Sequence, residues 1–154
     1  MNKFQTRCFE DIQVGDIAVS HGRTITEADI VNFAGLSGDW NTIHIDAEFA
    51  KSSITGQRVA HGLLGLAVGS GLYTRTEYSI STMSSITAFT EIRSWKFKKP
   101  ISIGDTLRIE SEIIEKDDPR PESGSGRVVF RRTIFNQNNE VVQTGEIVQL
   151  IKKR

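Results

Sequence analysis

Cysteine is almost absent: Cys8 is the single one in 154 residues, so no disulfide forms within the chain. A chain of this length buries a core without such a staple, and the shortage of thiols fits a reducing compartment. Cys8 itself sits in a polar stretch with no histidine beside it and reads as a bystander. An excess of either charge is missing too. The 19 basic residues balance 19 acidic ones, which excludes the basic footprint of a nucleic-acid binder. The clustered lysines Lys96, Lys98 and Lys99 suffice for one phosphorylated ligand, not for a polyanion surface. The N-terminal stretch has no apolar segment of the secretory kind. The longest apolar run, Leu63 to Tyr73, is too short and too rich in glycine to span a bilayer. The expectation is a single domain over residues 1–154, cytoplasmic, with neither nucleic acid nor membrane as partner.

What is present divides into a helical half and a strand half. Val14-Gly15-Asp16 reads as a turn before a short strand, Ile17 to Ser20, and Ile103-Gly104-Asp105 uses the same turn chemistry before a stronger strand. Thr24 to Gly35 reads as the first helix. Thr26 caps it, Glu27 and Asp29 suit the positive end of its dipole, and Ile30, Phe33 and Ala34 form one apolar stripe. Gly35 is placed to stop it. Asp46 to Lys51 reads as one or two helical turns capped by Asp46. From Val59 to Leu72 the chain is apolar on nearly every face, which predicts a buried helix. Gly65 and Gly69 fall on one face of it and lower its helix propensity; close approach of a sheet would offset that.

From Ser85 onward the texture is that of strands: Ser85–Lys98, Thr106–Lys116, Arg127–Phe135 and Val141–Ile151. On the second, Leu107, Ile109, Ser111 and Ile113 alternate with Arg108, Glu110 and Glu112. Asn136 to Asn139 is a hairpin connection, and Asp117 to Gly126 is a loop. Strands joined this closely are antiparallel. The pattern is α+β, one glycine-rich helix wrapped by an antiparallel sheet. Such a sheet has an edge that pairing would cover, so a homodimer or higher homo-oligomer is expected.

The stretch Leu36-Ser37-Gly38-Asp39-Trp40-Asn41-Thr42-Ile43-His44 holds the candidate chemistry. It sets a carboxylate and an imidazole five residues apart on a turning loop, the minimum equipment for general acid–base work. A plainer reading stands beside it, since Asp caps helices and His is often a satisfied polar group. Loops carry function more than cores do. Gly62 falls in the first turn of the predicted buried helix, where backbone N–H groups lack partners and the dipole is positive. The three histidines, His21, His44 and His61, show no close ligand spacing, so no metal site is expected. His21 reads as surface and Asp46 as a helix cap.

Phe33 to His44 resembles the signature of the MaoC-like (R)-specific enoyl-CoA hydratases, the hydratase 2 family: aromatic, spacer, apolar, small, then Gly-Asp-x-Asn-Pro-apolar-His. Phe9 to Asp16 is similar to the family's N-terminal Glu-Asp-x-x-x-Gly-Asp segment. Ala60-His61-Gly62-Leu63-Leu64 resembles the opening of its central helix. Trp95-Lys96-Phe97, Pro100 and Gly104-Asp105 resemble its strand and turn. The resemblance runs over nearly the whole chain, in order, and implies a hot-dog fold. It implies a hydro-lyase that reversibly hydrates 2-enoyl thioesters to (R)-3-hydroxyacyl thioesters. Asp39 and His44 would share one water, Asn41 would orient the pair or the water, and the N–H of Gly62 would hold the developing enolate oxygen. No cofactor is implied, CoA being part of the substrate. Thr42 departs from the pattern, standing where the family usually has a Pro that fixes φ; a local hydrogen bond from Thr would stand in for that constraint.

The substrate would be an acyl-CoA or acyl-carrier thioester. Trp40 lines its acyl pocket or plugs the loop. His61 meets the substrate or holds the loop from the helix start. Leu63, beside Gly62, is a further contact. Arg93 and Lys96, with Arg58 and Lys98, are the cations available to a phosphate. Two other functions share the fold, an acyl-CoA thioesterase and a non-catalytic acyl-CoA-binding module; an intact Asp39/His44 pair favours the hydro-lyase.

Overall fold

The computed structural model of the chain describes residues 6–154. Two short strands, β1 (Ile17–Val19) and β2 (Arg23–Thr24), lead into helix α1 (Glu27–Ser37). The short helices α2 (Thr42–Ile45) and α3 (Ala47–Lys51) follow, then the long α4 (Gly62–Thr74) and α5 (Glu77–Thr82). Four long strands complete the chain: β3 (Ile86–Phe97), β4 (Thr106–Asp117), β5 (Ser125–Phe135) and β6 (Val141–Lys152). The sheet is antiparallel throughout, in the order β1-β4-β5-β6-β3, with β2 also on β4. Among the described residues no helix is long and apolar enough to cross a membrane.

The sheet has one core face. On β4, Leu107, Ile109, Ser111 and Ile113 are buried while their neighbours are not, as strict alternation requires. Helix α4 lies on that face, and its glycines mark the contact. A Cβ on Gly65 would lie 2.2 Å from Gln143 Nε2, and one on Gly69 would lie 2.4 Å from Ile134 Cδ1. Each glycine lowers helix stability by about 1 kcal/mol relative to alanine, and close packing on the sheet is what it permits. At the far end of α4, the buried Tyr73 packs edge-on to Phe130, with the Arg132 guanidinium 3.9 Å over its ring. Burial pushes the Tyr73 hydroxyl up and the Arg132 guanidinium down from their ordinary values.

Helix α4 departs from expectation in two ways. It begins at Gly62 rather than Val59, because Val59 bridges to Ser102 and the Ala60 N–H bonds the Ile101 carbonyl. It is also not covered all round. Leu63 is 61% exposed, and Ala67 and Gly71 are exposed as well, since the sheet of one chain covers only one side of a helix.

Helix α1 is capped as its sequence suggests. Thr26 Oγ1 accepts from the Asp29 N–H, and the Asp29 carboxylate accepts from the Thr26 N–H at 2.8 Å. It does not stop at Gly35. The helix runs to Ser37, and Gly38 makes the turn in the left-handed region at φ +74°, its N–H on the Ala34 carbonyl. Beyond the turn, Asn41 Oδ1 accepts from the Ile43 N–H and caps α2, whose first residue is Thr42. Asp46 caps α3 in the same manner, accepting from the Phe49 N–H at 2.9 Å. Helix α5 carries little sequence signal, being rich in Ser and β-branched residues that are weak helix formers; the Thr76 hydroxyl caps it.

These assignments separate residues that look alike in sequence. Gly35 is helical with open space where a Cβ would go, so Gly35→Ala raises the free energy of unfolding by about 1 kcal/mol. Gly38→Ala lowers it by about 1 kcal/mol or more, because an L-residue is strained at that φ. Urea unfolding of both variants checks the pair, and a Gly35→Ala as damaging as Gly38→Ala contradicts the boundary. Thr42 occupies the helix position where Pro is best tolerated, so Thr42→Pro stabilises by about 0.4–1 kcal/mol; a loss in the same assay refutes it.

Candidate active site

The turn after α1 is organised by its own polar side chains. Ser37 Oγ accepts from the Asp39 N–H at 3.2 Å, and Asp39 Oδ1 accepts from the Asn41 N–H at 3.2 Å. Asn41 then caps α2. Successive side-chain-to-backbone bonds thus hold the turn, and His44 rides on a helical turn rather than on irregular loop. Asn41 acts on the pair through this scaffold: its N–H fixes the Asp39 carboxylate and its side-chain oxygen fixes the helix that carries His44.

His44 Nδ1 lies 2.8 Å from the Val59 carbonyl oxygen. A carbonyl only accepts, so Nδ1 carries the proton and Nε2 of the neutral ring keeps a lone pair. His61, the residue before α4, is 2% exposed and donates from Nε2–H to the Asp39 carbonyl at 2.9 Å. Its Nδ1 is buried without a hydrogen-bond partner among the described residues. The two imidazoles stack with centroids 3.8 Å apart, and Phe33 packs against His61 at 5.0 Å. One carboxylate or ring atom from each of Asp39, His44 and His61 lies within 4.8 Å of the others. Spacing along the chain gave no hint of this grouping of histidines; the fold brings His61 onto His44 and leaves His21 on the surface. A carboxylate with two imidazoles is a donor set that suits a divalent cation as well as a water, although one nitrogen of each ring is committed to a backbone carbonyl.

Gly62 opens α4, so its N–H has no intrahelical acceptor and lies at the positive end of the helix dipole. A Cβ there would stand 2.8 Å from Phe97 Cε1, so the position is kept bare. Beside it is a cavity of about 280 Å³ whose lining includes Ala60, Gly62, Phe97, Lys98, Lys99 and Gln143. A larger cleft of about 920 Å³ lies between β1 and α5 and contains none of these residues.

The other residues expected to meet substrate divide. Trp40 and Leu63 are 53% and 61% exposed, so Trp40 does not plug the loop. His61 is buried beneath the pair and holds the Asp39 turn. Arg93 is not brought to the site. It is surrounded by carboxylates, with Glu115 at 3.5 Å, Glu91 at 3.8 Å and Glu146 at 3.9 Å, on the face of the sheet opposite the buried Gly145 and Ile147. Lys96 is exposed opposite Thr144, and Arg58 bonds Glu27 at 2.6 Å. Lys98 and Lys99 are the cations that reach the cavity, Lys99 pairing with Glu140. Phe97 enters the sequence reading only within the Trp95-Lys96-Phe97 strand segment, and Gln143 does not enter it at all. The available signal for Gln143 was a polar residue at an inward position of an alternating strand.

Comparison with known proteins shows the family of the chain. A sequence model of the MaoC-like domain matches residues 14–132. The (R)-specific enoyl-CoA hydratase of Rhodospirillum rubrum is 39% identical over 147 residues, 95% of this chain and 92% of that protein. Protein MaoC of Klebsiella aerogenes is 39% identical over 101 residues, which is 66% of this chain but only 29% of that longer protein. The solved structure of a monoamine oxidase regulatory protein from Archaeoglobus fulgius superposes with a TM-score of 0.90 at 36% identity, covering 97% of each chain. The architecture, an antiparallel sheet around one long helix, is the hot-dog fold, and the chain belongs to the MaoC-like domain family.

Proposed function

We propose that residues 1–154 form one catalytic unit, a hydro-lyase that reversibly adds water to 2-enoyl thioesters of CoA or an acyl carrier and yields (R)-3-hydroxyacyl thioesters. The observation that carries this reading is the convergence of Asp39, His44 and His61 within 4.8 Å next to a helix start whose Gly62 N–H has no acceptor among the described residues. Water seated between the Asp39 carboxylate and His44 Nε2 gives up a proton to the pair as its oxygen attacks C3. Charge moves to the thioester oxygen, where the Gly62 N–H meets it. The pair then returns a proton to C2. Removal of water from the hydroxyacyl thioester retraces these steps. No cofactor takes part, because the thioester itself supplies the polarised bond. The names of the relatives, (R)-specific enoyl-CoA hydratase among them, support the reaction class and the hand of the product. Phosphates of the CoA arm fall to Lys98 and Lys99 rather than to Arg93 or Lys96.

The reading includes a homodimer. Strand β3 is a 12-residue sheet edge whose exposed side chains include Phe89, Ile92 and Phe97 at 51%, 45% and 55%. A long apolar edge of this kind invites a partner strand. The uncovered side of α4 starts beside that edge, where Gly62 meets Phe97. A second copy would enclose both, and the cavity at Gly62 with them.

Two experiments test these claims. Asp39→Asn and His44→Ala each reduce crotonyl-CoA hydration by about 100-fold or more while circular dichroism and the unfolding midpoint stay near those of the parent; hydration at parental rates in both removes the assignment. Release of free CoA thiol in the same assay would point to thioester cleavage instead. Phe89→Lys combined with Ile92→Lys converts the dimer to a monomer on sedimentation and lowers hydration with it. A parent chain that sediments as a monomer while active refutes the dimer.

A further inference from the structure

We infer that Gln143, locked by Trp95, is a positioning residue for the oxyanion amide, an inference that rests on the hydratase reading above. Gln143 lies on β6, opposite Phe97 of β3 and Ile134 of β5, and is 1% exposed. A buried primary amide is destabilising unless its donor and acceptor are both engaged. Here both are. The Trp95 indole N–H donates to Gln143 Oε1 at 3.1 Å, and Gln143 Nε2–H donates to the Gly62 carbonyl at 2.9 Å. Two glycines make room for the arrangement. A Cβ on Gly65 would strike Gln143 Nε2 at 2.2 Å, and one on Gly145 would strike Trp95 Cε3 at 2.5 Å. Thus a tryptophan, a buried amide and two bare backbone positions are grouped around one acceptor, the carbonyl of Gly62. A leucine or methionine at 143 would fill similar volume with nothing polar to satisfy, so the amide is there for what it holds.

What it holds is the first turn of α4. Tying the Gly62 carbonyl to the sheet fixes the rotation of that turn, and with it the direction of the Gly62 N–H. The Gly62 carbonyl and the Leu63 N–H also share one peptide group, so a donor on the carbonyl polarises that N–H and strengthens it as a second donor. Donors to a developing oxyanion act because they are set in place before charge appears. A displacement near 1 Å is enough to lose about 100-fold in rate. Gln143 does not touch the reacting atoms, and its effect passes through the helix start.

The test uses the full chain and three variants. Gln143→Met removes both bonds. Gln143→Glu keeps the acceptor for Trp95 and, assayed at alkaline pH where its carboxyl is ionised, has no proton to donate to the Gly62 carbonyl. Trp95→Phe leaves Gln143 in place without its lock. For each, the unfolding midpoint, kcat and KM for crotonyl-CoA, and the infrared carbonyl band of bound 3-hydroxybutyryl-CoA are measured. Folded Gln143→Met and Gln143→Glu lose about 10- to 100-fold in kcat with KM within about threefold, and the carbonyl band moves to higher frequency as its polarisation weakens. Trp95→Phe shows the same pattern to a smaller degree. A folded Gln143→Met with kcat within about threefold of the parent, or a loss confined to KM, overturns the inference. If neither Gln143 variant folds, Trp95→Phe decides: kcat and carbonyl band unchanged from the parent also overturn it. A parent that hydrates no enoyl thioester defeats the hydratase reading and the inference together, whereas an active parent matched by its Gln143 variants defeats the inference alone.

Discussion

The hydrogen bond from His61 Nε2–H to the Asp39 carbonyl joins two segments 22 residues apart in the chain. One segment is a tight turn that offers a carboxylate, and the other is the head of a helix that offers unpaired N–H groups. Neither is a site alone. The donor ring is buried, with Phe33 and His44 packed against it, so its orientation is fixed from the donor side although Asp39 itself is exposed. His44 depends on the same joint, since its ring stacks on His61 and its Nδ1–H is taken by the Val59 carbonyl only two residues before His61. The tautomer that leaves Nε2 free therefore follows from backbone placed by the chain leading into α4.

That helix is placed in turn by the sheet. Gly65 and Gly69 bring its backbone down onto Gln143 and Ile134, and Gln143 bonds the first turn directly. The arrangement trades helix propensity for a fixed distance between the sheet and the helix start. A helix held only by interlocking apolar side chains could tolerate a small rotation, because dispersion contacts are individually weak and non-directional. A hydrogen bond to a particular carbonyl is directional and removes that freedom. A rigid sheet, a close-packed helix and a capped turn together hold Asp39, His44 and the start of α4 in fixed relation.

Local pattern was a good guide wherever one face of an element meets the core. The four long strands lie within two residues of the positions read from alternation, because burial on one side imposes period two on β4 and its neighbours. The Asp39 and His44 stretch was legible for a different reason, its polar residues being dense and closely spaced. Features that depend on register or on distant packing were not legible. Gly35 and Gly38 both resemble helix stops, and only the run of the backbone shows which one takes the left-handed turn. Arg93 looked free because two of its carboxylate neighbours, Glu115 and Glu146, come from other strands, and cross-strand neighbours are invisible until register is known. The open face of α4 was misread because apolar composition speaks of burial without saying how much of a helix one sheet covers. The role of Gln143 belongs with these, since its partners are a helix carbonyl and an indole on a different strand.

If one water, held on one face of the substrate between Asp39 and His44, supplies both the hydroxyl and the proton, then the two groups add to the same side of the double bond. Hydration of crotonyl-CoA in deuterium oxide, with the relative configuration at C2 and C3 of the product read by proton NMR coupling, measures this directly. Syn addition of a single deuterium at C2 is the predicted result. Anti addition, or deuterium scrambled over both C2 positions, would contradict a single acid–base pair acting on a single water.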